Sequence, residues 1–164
     1  MKLLAVFLVF SMMVVTIATS VSNDGTPGDD RSPSCPFGWT LINSRCFQYV
    51  ANEMTWAGAE RNCLSMGANL ASIHNMNENH QIQTLIFTAS HESNETWIGG
   101  SNAQEESIWL WSDGNLFSHT NWCPAEPNNT NGMQHCLQIN YSGAKCWDDF
   151  DCGARKPSVC VKTM

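Results

Sequence analysis

The sequence predicts an α+β domain that is closed by disulfide bonds. Two segments carry apolar residues at helical spacing, and several shorter segments are rich in aromatic and β-branched residues. All 8 cysteines follow an apolar leader, and an even number in an exported chain indicates covalent bridges. Both kinds of segment in one short chain indicate helices packed on small sheets.

The amino-terminal residues are expected to lie outside this domain. Lys2 precedes an apolar run from Leu3 to about Ala18, which predicts a signal peptide over residues 1–20. The run is short for a membrane span and lacks a basic stop-transfer flank, so an uncleaved anchor is the weaker alternative. Residues 21–34 are polar and predict a flexible propeptide or arm. We therefore expect a secreted, extracellular protein without a membrane span, whose one domain covers residues 35–164.

The first half of the domain carries both predicted helices. Residues 35–50 predict two short strands around an Asn-Ser turn. Thr55 is a candidate N-cap for a helix over residues 54–66, and Gly67 would end it. A short strand-like connection follows at residues 70–73.

The second helix is expected to begin at Asn75 or Asn77 and to continue to about Phe87, with isoleucine and leucine side chains facing inward.

The second half predicts strands and one long loop. Residues 96–100 and 107–111 are strand-like, and residues 158–161 form a terminal strand. Residues 112–145 are rich in Gly, Pro, Asn, Asp and Ser, which predicts a loop. A loop of this length is expected only where it is functional or held in place, and three of the cysteines lie in it or directly after it.

The tryptophans have two interpretations. Sugar-binding sites use aromatic stacking, but a core position is favoured for the five that have apolar neighbours. These are Trp39, Trp56, Trp97, Trp109 and Trp111.

Composition excludes several classes of function. The chain has 15 Asp and Glu against 8 Lys and Arg and no basic stripe, so nucleic acid is not an expected partner. The sequence has no Gly-x-Ser-x-Gly, no phosphate loop and no closely spaced His pair, so we do not expect an enzyme. Zinc ligation by cysteines is disfavoured because there is no Cys-x-x-Cys. Spacing alone does not decide the disulfide pairing, since eight cysteines allow 105 pairings.

A series of motifs identifies a family. In chain order they are Trp97-Ile-Gly-Gly, Trp111-Ser-Asp-Gly, Glu126-Pro-Asn and Trp147-Asp-Asp. With the surrounding cysteines and the two helices, this order resembles the C-type lectin-like domain from Cys35 to Val161. The resemblance implies two helices packed on small antiparallel sheets, with a long loop region that disulfides hold in place.

The resemblance also implies the disulfide pairing. The expected bridges are Cys35–Cys46, Cys63–Cys160, Cys123–Cys146 and Cys136–Cys152. The bridge Cys123–Cys146 is similar to one in small soluble fish lectins and type II antifreeze proteins. Ten-cysteine antifreeze proteins have one more bridge, at places where this chain has residues such as Ala103 and His135. Because both cysteines of that bridge are missing here, the sequence favours the lectins of this group.

One calcium site follows from the same resemblance. Family members hold Ca²⁺ with side-chain oxygens, and sugar hydroxyls complete the shell. The implied metal ligands are Glu126, Asn128, Gln134, Asp148 and Asp149, and the first four would also contact the sugar. Pro127 permits a cis bond after Glu126, which members of the family use to direct both flanking side chains at the ion.

Two of these ligands depart from the usual pattern. Gln134 stands where the family commonly has Glu, and Asp148 stands where it commonly has Asn. Three negative charges remain, so we expect calcium binding to survive; a degenerate site without calcium is the alternative. The motif Glu126-Pro-Asn is typical of mannose binders. The exchange at the other two positions resembles a galactose site with its halves exchanged, so mannose- and galactose-type sugars both stay open.

Three glycosylation sequons start at Asn94, Asn128 and Asn140. A glycan on Asn128 would compete with its role as a metal ligand.

The predicted function is calcium-dependent carbohydrate binding, with innate defence as a candidate role. Ice structuring on the same fold is the alternative, and a partner-binding module without sugar binding is a third hypothesis. The sequence does not decide the oligomeric state. Several sugar sites together would strengthen binding, but no coiled-coil or collagen-like segment that would assemble them is present.

Overall fold

The structure is a computed structural model that describes residues 34–164. The predicted signal peptide and residues 21–33 of the predicted arm lie outside the described residues. The elements, in chain order, are β1 (Thr40–Ile42), β2 (Arg45–Met54), α1 (Trp56–Ser65), β3 (Asn69–Leu70), α2 (Met76–Ser90), β4 (Thr96–Ser101), β5 (Leu110–Trp111), a short 3₁₀ helix (Thr130–Gly132), β6 (Gln134–Tyr141), β7 (Cys146–Asp151) and β8 (Lys156–Thr163).

The strands form one connected mixed sheet. Its main path runs β1-β2-β8-β4-β6-β7, and β3 and β5 pair at its side with β8 and β4. All the paired strands are antiparallel except β4 and β8, which meet in parallel where Trp97 is opposite Ser158. The α+β class and its two helices are confirmed, but the sheet is continuous, not divided into separate small sheets.

Helix α1 begins and ends where the sequence predicts. The Thr55 side chain caps it by accepting a hydrogen bond from Gly58 N at 3.2 Å. Its C-cap is Met66, and Gly67 follows with φ 66°, a conformation that glycine adopts without cost.

Helix α2 is longer than predicted. Asn75 caps it through a 2.9 Å bond from Glu78 N, which decides between the two expected starting residues. The helix continues beyond Phe87 to Ser90 and ends at His91, a residue with φ 59°.

The two helices pack on opposite faces of the sheet. Trp97 belongs to the buried cluster beneath α1, and its neighbour Ile98 belongs to the cluster beneath α2, since successive strand side chains alternate between faces. Trp97 and Trp111 are buried in the core as predicted. The other three predicted core tryptophans, Trp39, Trp56 and Trp109, are half-buried and pack against the two clusters.

The prediction that residues 112–145 are all loop is wrong, because β6 lies within them. Gln138 and Asn140 are polar, so the sequence of β6 lacks the alternation of apolar and polar residues that is typical of a strand. Both side chains are nevertheless buried. Pairing with β4 on one side and β7 on the other places this segment in the sheet. Tertiary pairing therefore outweighs local composition here.

Four disulfides hold the domain together, with the pairing that the resemblance implies. They join Cys35 to Cys46, Cys63 to Cys160, Cys123 to Cys146 and Cys136 to Cys152. The second ties α1 to β8 across a sequence separation of 97 residues. The third and fourth secure the segment that contains most of the predicted ligands. Within the described residues, no helix is long and apolar enough to cross a membrane.

Candidate functional site

The candidate site forms where an irregular loop meets the start of β7. The loop is aligned on this strand by two backbone bonds: Cys123 N donates to Trp147 O at 2.9 Å, and Trp147 N donates to Asn121 O at 2.8 Å. The disulfide from Cys123 to Cys146 secures the same contact. The peptide bond between Glu126 and Pro127 is cis. The loop thereby brings Glu126 to the two aspartates that follow Trp147.

Three carboxylates converge at this point. One oxygen from each of Glu126, Asp148 and Asp149 lies within 4.8 Å of the other two. Asp148 and Asp149 are buried, with exposed fractions of 3% and 0%, and Glu126 is half-buried. Oε2 of Glu126 is buried and has no hydrogen-bond partner within the part of the chain that is described. A concentration of negative charge with an unpartnered oxygen is favourable only beside a proton or a cation.

The electrostatics of this cluster are those of a site that attracts a cation. Burial, reinforced by the charges of Asp148 and Asp149, raises the pKa of Glu126 to about 7. Burial is also the main cause that raises the pKa of Asp148, and the charge of Asp149 adds to it, while a hydrogen bond from Gln138 opposes it. In the absence of a metal, the cluster therefore retains a proton near neutral pH. A divalent cation would replace that proton and relieve the mutual repulsion.

Asp149 also fixes the backbone of the neighbouring loop. Its Oδ1 accepts from Asn128 N at 2.9 Å, and its Oδ2 accepts from Asn129 N at 2.8 Å. Asn129 adopts φ 43°, and its own Oδ1 accepts from Gln134 N at 3.0 Å. One buried carboxylate thus holds the segment that presents the predicted amide ligands.

The two predicted amide ligands form a second group. Asn128 Oδ1 and Gln134 Oε1 both accept from Thr130 N, at 2.9 Å and 2.7 Å. Thr130 Oγ1 also donates to Asn128 Oδ1. The structure therefore shows the five predicted residues as two groups: three clustered carboxylates, and two amide oxygens that meet at Thr130. The bond from Asn128 N to Asp149 Oδ1 links the groups.

Gln138 is a site residue that the motifs did not indicate. It lies directly opposite Asp148 on the neighbouring strand, and its Nε2 donates to Asp148 Oδ2 at 2.7 Å. Gln138 is fully buried, so this bond is shielded from water. A strand assignment for β6 would have revealed the pair, because it places Gln138 across from β7.

The donor set of this region fits calcium. It consists entirely of oxygens: three carboxylates and two amides, the ligand types that Ca²⁺ takes in proteins. Within the described residues, this is the one cluster of three or more His, Cys, Asp or Glu side chains suited to a metal.

Comparisons with known proteins agree with this fold. The family model described as "Lectin C-type domain" matches residues 52–162. The galactose-specific lectin nattectin of Thalassophryne nattereri is 41% identical over 131 residues, which cover 80% of this chain and 82% of nattectin. A type-2 ice-structuring protein of Hemitripterus americanus is 37% identical over 164 residues, which cover 96% of each chain.

Among solved structures, the herring type II antifreeze protein superposes with a TM-score of 0.74 at 35% identity, covering 79% of this chain and 99% of that one. The relatives are thus lectins and antifreeze proteins, and no enzyme family is indicated.

Proposed function

This chain belongs to the C-type lectin family, and on that premise we propose that it is a secreted protein that binds carbohydrate through one calcium ion. The observation that carries the proposal is the convergence of Glu126, Asp148 and Asp149 with an unpartnered buried oxygen on Glu126. Their three charges and two neighbouring amides suit a hard divalent cation. The proposal includes cleavage of residues 1–20 and a domain over residues 35–164.

The roles of the side chains follow from their chemistry. Calcium, when bound, would offer open coordination positions to a pair of sugar hydroxyls. Glu126 and Asp148 accept hydrogen bonds from those hydroxyls, and the amide nitrogens of Asn128 and Gln134 donate hydrogen bonds to them. Asp149 keeps the loop in place through its two backbone contacts and adds negative charge. Burial of the aspartates strengthens each of these interactions relative to water.

The class of sugar follows from the order of donors and acceptors. Glu126 and Asn128 present an acceptor and then a donor, while Gln134 and Asp148 present a donor and then an acceptor. This arrangement matches a galactose site with its halves exchanged, and nattectin is a galactose-specific relative. We therefore place galactose-type sugars ahead of mannose-type sugars for this chain.

Affinity chromatography tests the proposal directly. The protein should be retained on immobilised galactose in calcium and should elute with EDTA. Glu126→Gln should abolish retention because it removes a ligand charge. Glu106→Gln makes the same charge change at an exposed residue that is not one of the five predicted ligands, and it should be retained like the parent. Retention that survives EDTA, or equal loss in both variants, would contradict the proposal.

Restoring the usual residues tests the sugar class. The double variant Gln134→Glu with Asp148→Asn keeps the net charge of the site. It should shift preference from galactose toward mannose on a glycan array in calcium. An unchanged preference would refute the assignment while leaving calcium-dependent binding intact. Calcium-dependent binding to bacterial surfaces would test the proposed role in innate defence.

Ice structuring is the second candidate function. It is favoured by the likeness to type-2 ice-structuring proteins, two of which match 96% and 98% of this chain and a third 80%. Against this function, the chain has residues such as Ala103 and His135 at the places where the resemblance puts the additional bridge of ten-cysteine antifreeze proteins. Thermal hysteresis of the purified protein, with and without calcium, separates the two functions. A hysteresis gap without sugar retention would favour the ice-structuring function.

A further inference from the structure

A second polar cleft is lined by none of the three clustered carboxylates. Its volume is about 520 Å³, within the range of about 300–1,000 Å³ that is typical of pockets for small molecules. It lies between the loop before β4, the β6–β7 turn and the segment that leads into β8. Residues that line it include Glu53, Asn94, Glu95, Asn140, Lys145 and Arg155. The asparagines of two of the three sequons, Asn94 and Asn140, therefore line the same cleft.

One of these two asparagines, Asn140, is not accessible in the folded domain. Asn140 is only 2% exposed, and its Nδ2 donates to Asn94 O at 3.2 Å. An N-linked glycan is attached to this same Nδ2, so a modified Asn140 would lose its bond and would place a sugar inside the packed sheet. Because glycans are transferred to chains before they fold, a chain modified there would not complete β6.

Asn94 has the opposite environment. Its side chain is exposed, and no hydrogen bond among residues 34–164 engages its side-chain amide. Its backbone oxygen is fixed by Thr96 Oγ1 at 2.8 Å as well as by Asn140. Asn94 is therefore held at the rim of the cleft, and its Nδ2, the atom to which a glycan would be attached, is free.

We propose that Asn94 carries an N-linked glycan whose first sugar residues lie in this cleft, and that Asn140 is unmodified in the folded protein. The cleft offers positioned donors for sugar hydroxyls. Lys145 Nζ is held by Ser93 O at 3.2 Å, and an Arg155 terminal nitrogen is held by Glu53 O at 2.7 Å. Neither cationic group forms an ion pair among the described residues, and each has more N–H donors than these single bonds use.

This inference depends on the proposed entry into the secretory pathway and not on the calcium site. Peptide mapping of the full chain from a eukaryotic secretory host tests it, using enzymatic deglycosylation to mark each modified asparagine. We expect a mark at Asn94 and none at Asn140. Asn94→Gln should remove one glycan from the intact mass, whereas Ser142→Ala, which destroys the Asn140 sequon, should leave the mass of the glycan unchanged. A glycan on Asn140 in folded protein, or an unmodified Asn94, would overturn the proposal.

The position of the glycan in the cleft needs a separate measurement. Release of the glycan from native protein by an amidase should be several-fold faster for Arg155→Ala than for the parent, because the sugar loses a wall of the cleft. Arg61→Ala removes an arginine outside this cleft and should not change the rate. Equal release rates for parent and both variants would show that the glycan projects into solvent. Galactose binding by the Asn94→Gln protein tests the lectin proposal independently.

Discussion

Gln138 and Asp148 form a buried hydrogen-bonded pair across β6 and β7, with Gln138 Nε2 donating to Asp148 Oδ2 at 2.7 Å. This bond holds one carboxylate oxygen of the proposed site and lowers the pKa of Asp148 against the effect of burial. Gln138 acts through Asp148 and is therefore a positioning residue for the site. Partners of this kind commonly contribute about 10–100-fold to metal affinity.

The first prediction concerns this pair. Gln138→Met keeps the volume of the side chain but removes the hydrogen-bond donor. Asp148 then loses the bond that orients its carboxylate and stabilises its charged form. We expect calcium affinity to fall by about 10-fold, measured by isothermal titration calorimetry. Gln81→Met, at a half-buried position on α2, is the matched control and should bind calcium like the parent. Equal affinities for all three proteins would rule out a positioning role.

The second prediction concerns pH and stability without metal. The pKa of Glu126 is raised from 4.5 to about 7, so the folded protein binds this proton more tightly than the unfolded chain does. The contribution of Glu126 to stability therefore becomes less favourable as pH rises from 4.5 to about 7. In EDTA, the melting temperature of the parent relative to Glu126→Gln should fall across this interval.

Calcium should reverse this trend, because the ion replaces the proton as the partner of the carboxylates. Differential scanning calorimetry at several pH values, with EDTA or calcium, measures both effects. Glu106→Gln should follow the pH profile of the parent. A parent that gains stability relative to Glu126→Gln as pH rises in EDTA would contradict the inferred charge repulsion.

The third prediction concerns Asn102 and His135. Asn102 N donates to His135 O at 3.1 Å, and His135 Nδ1 lies 3.1 Å from Asn102 Oδ1. Asn102 follows Ser101 and His135 precedes Cys136, and Ser101 is paired with Cys136 in the antiparallel register of β4 and β6, so Asn102 and His135 lie opposite each other at the next position. The double variant Asn102→Cys with His135→Cys should form a fifth disulfide and raise the melting temperature under oxidising conditions.

Reduction of the double variant should abolish the increase in melting temperature, which distinguishes the disulfide from a general change in packing. The single variants Asn102→Cys and His135→Cys should not show the increase, and thiol titration should find no free cysteine in the double variant. Two free thiols in the folded double variant would show that the strand geometry does not permit the bridge.

The fourth prediction concerns close packing at β4. A Cβ added to Gly99 would lie 2.6 Å from Leu70 O and 2.8 Å from Ser112 Oγ. Gly99→Ala should therefore reduce the free energy of unfolding by about 1–3 kcal/mol, measured by denaturant titration. Gly143→Ala introduces the same methyl group where no atom lies within 4 Å, and it should change stability by less than about 0.5 kcal/mol. A similar loss in both variants would contradict the steric explanation, because Gly→Ala by itself lowers the entropy of the unfolded chain and favours folding.

Local signals predicted several elements well. Thr55, Asn75 and Gly67 mark helix ends because capping depends on short-range hydrogen bonds and backbone conformation. Strand β6 escaped detection because Gln138 and Asn140 give it a polar composition. Their burial becomes favourable only when residues distant in the chain supply partners, as Asp148 and Asn94 do.

The sequence by itself determined the family, the α+β class, the positions of the helices and the set of oxygen-bearing residues near Pro127 and after Trp147, because motifs and caps are local patterns. Only the tertiary structure decided that Glu126, Asp148 and Asp149 meet, that Gln138 supports one of them, and that Asn94 and Asn140 share a cleft. Electrostatic repulsion, burial and steric exclusion depend on distances between residues far apart in the chain. Those distances are set when the sheet and its disulfides close.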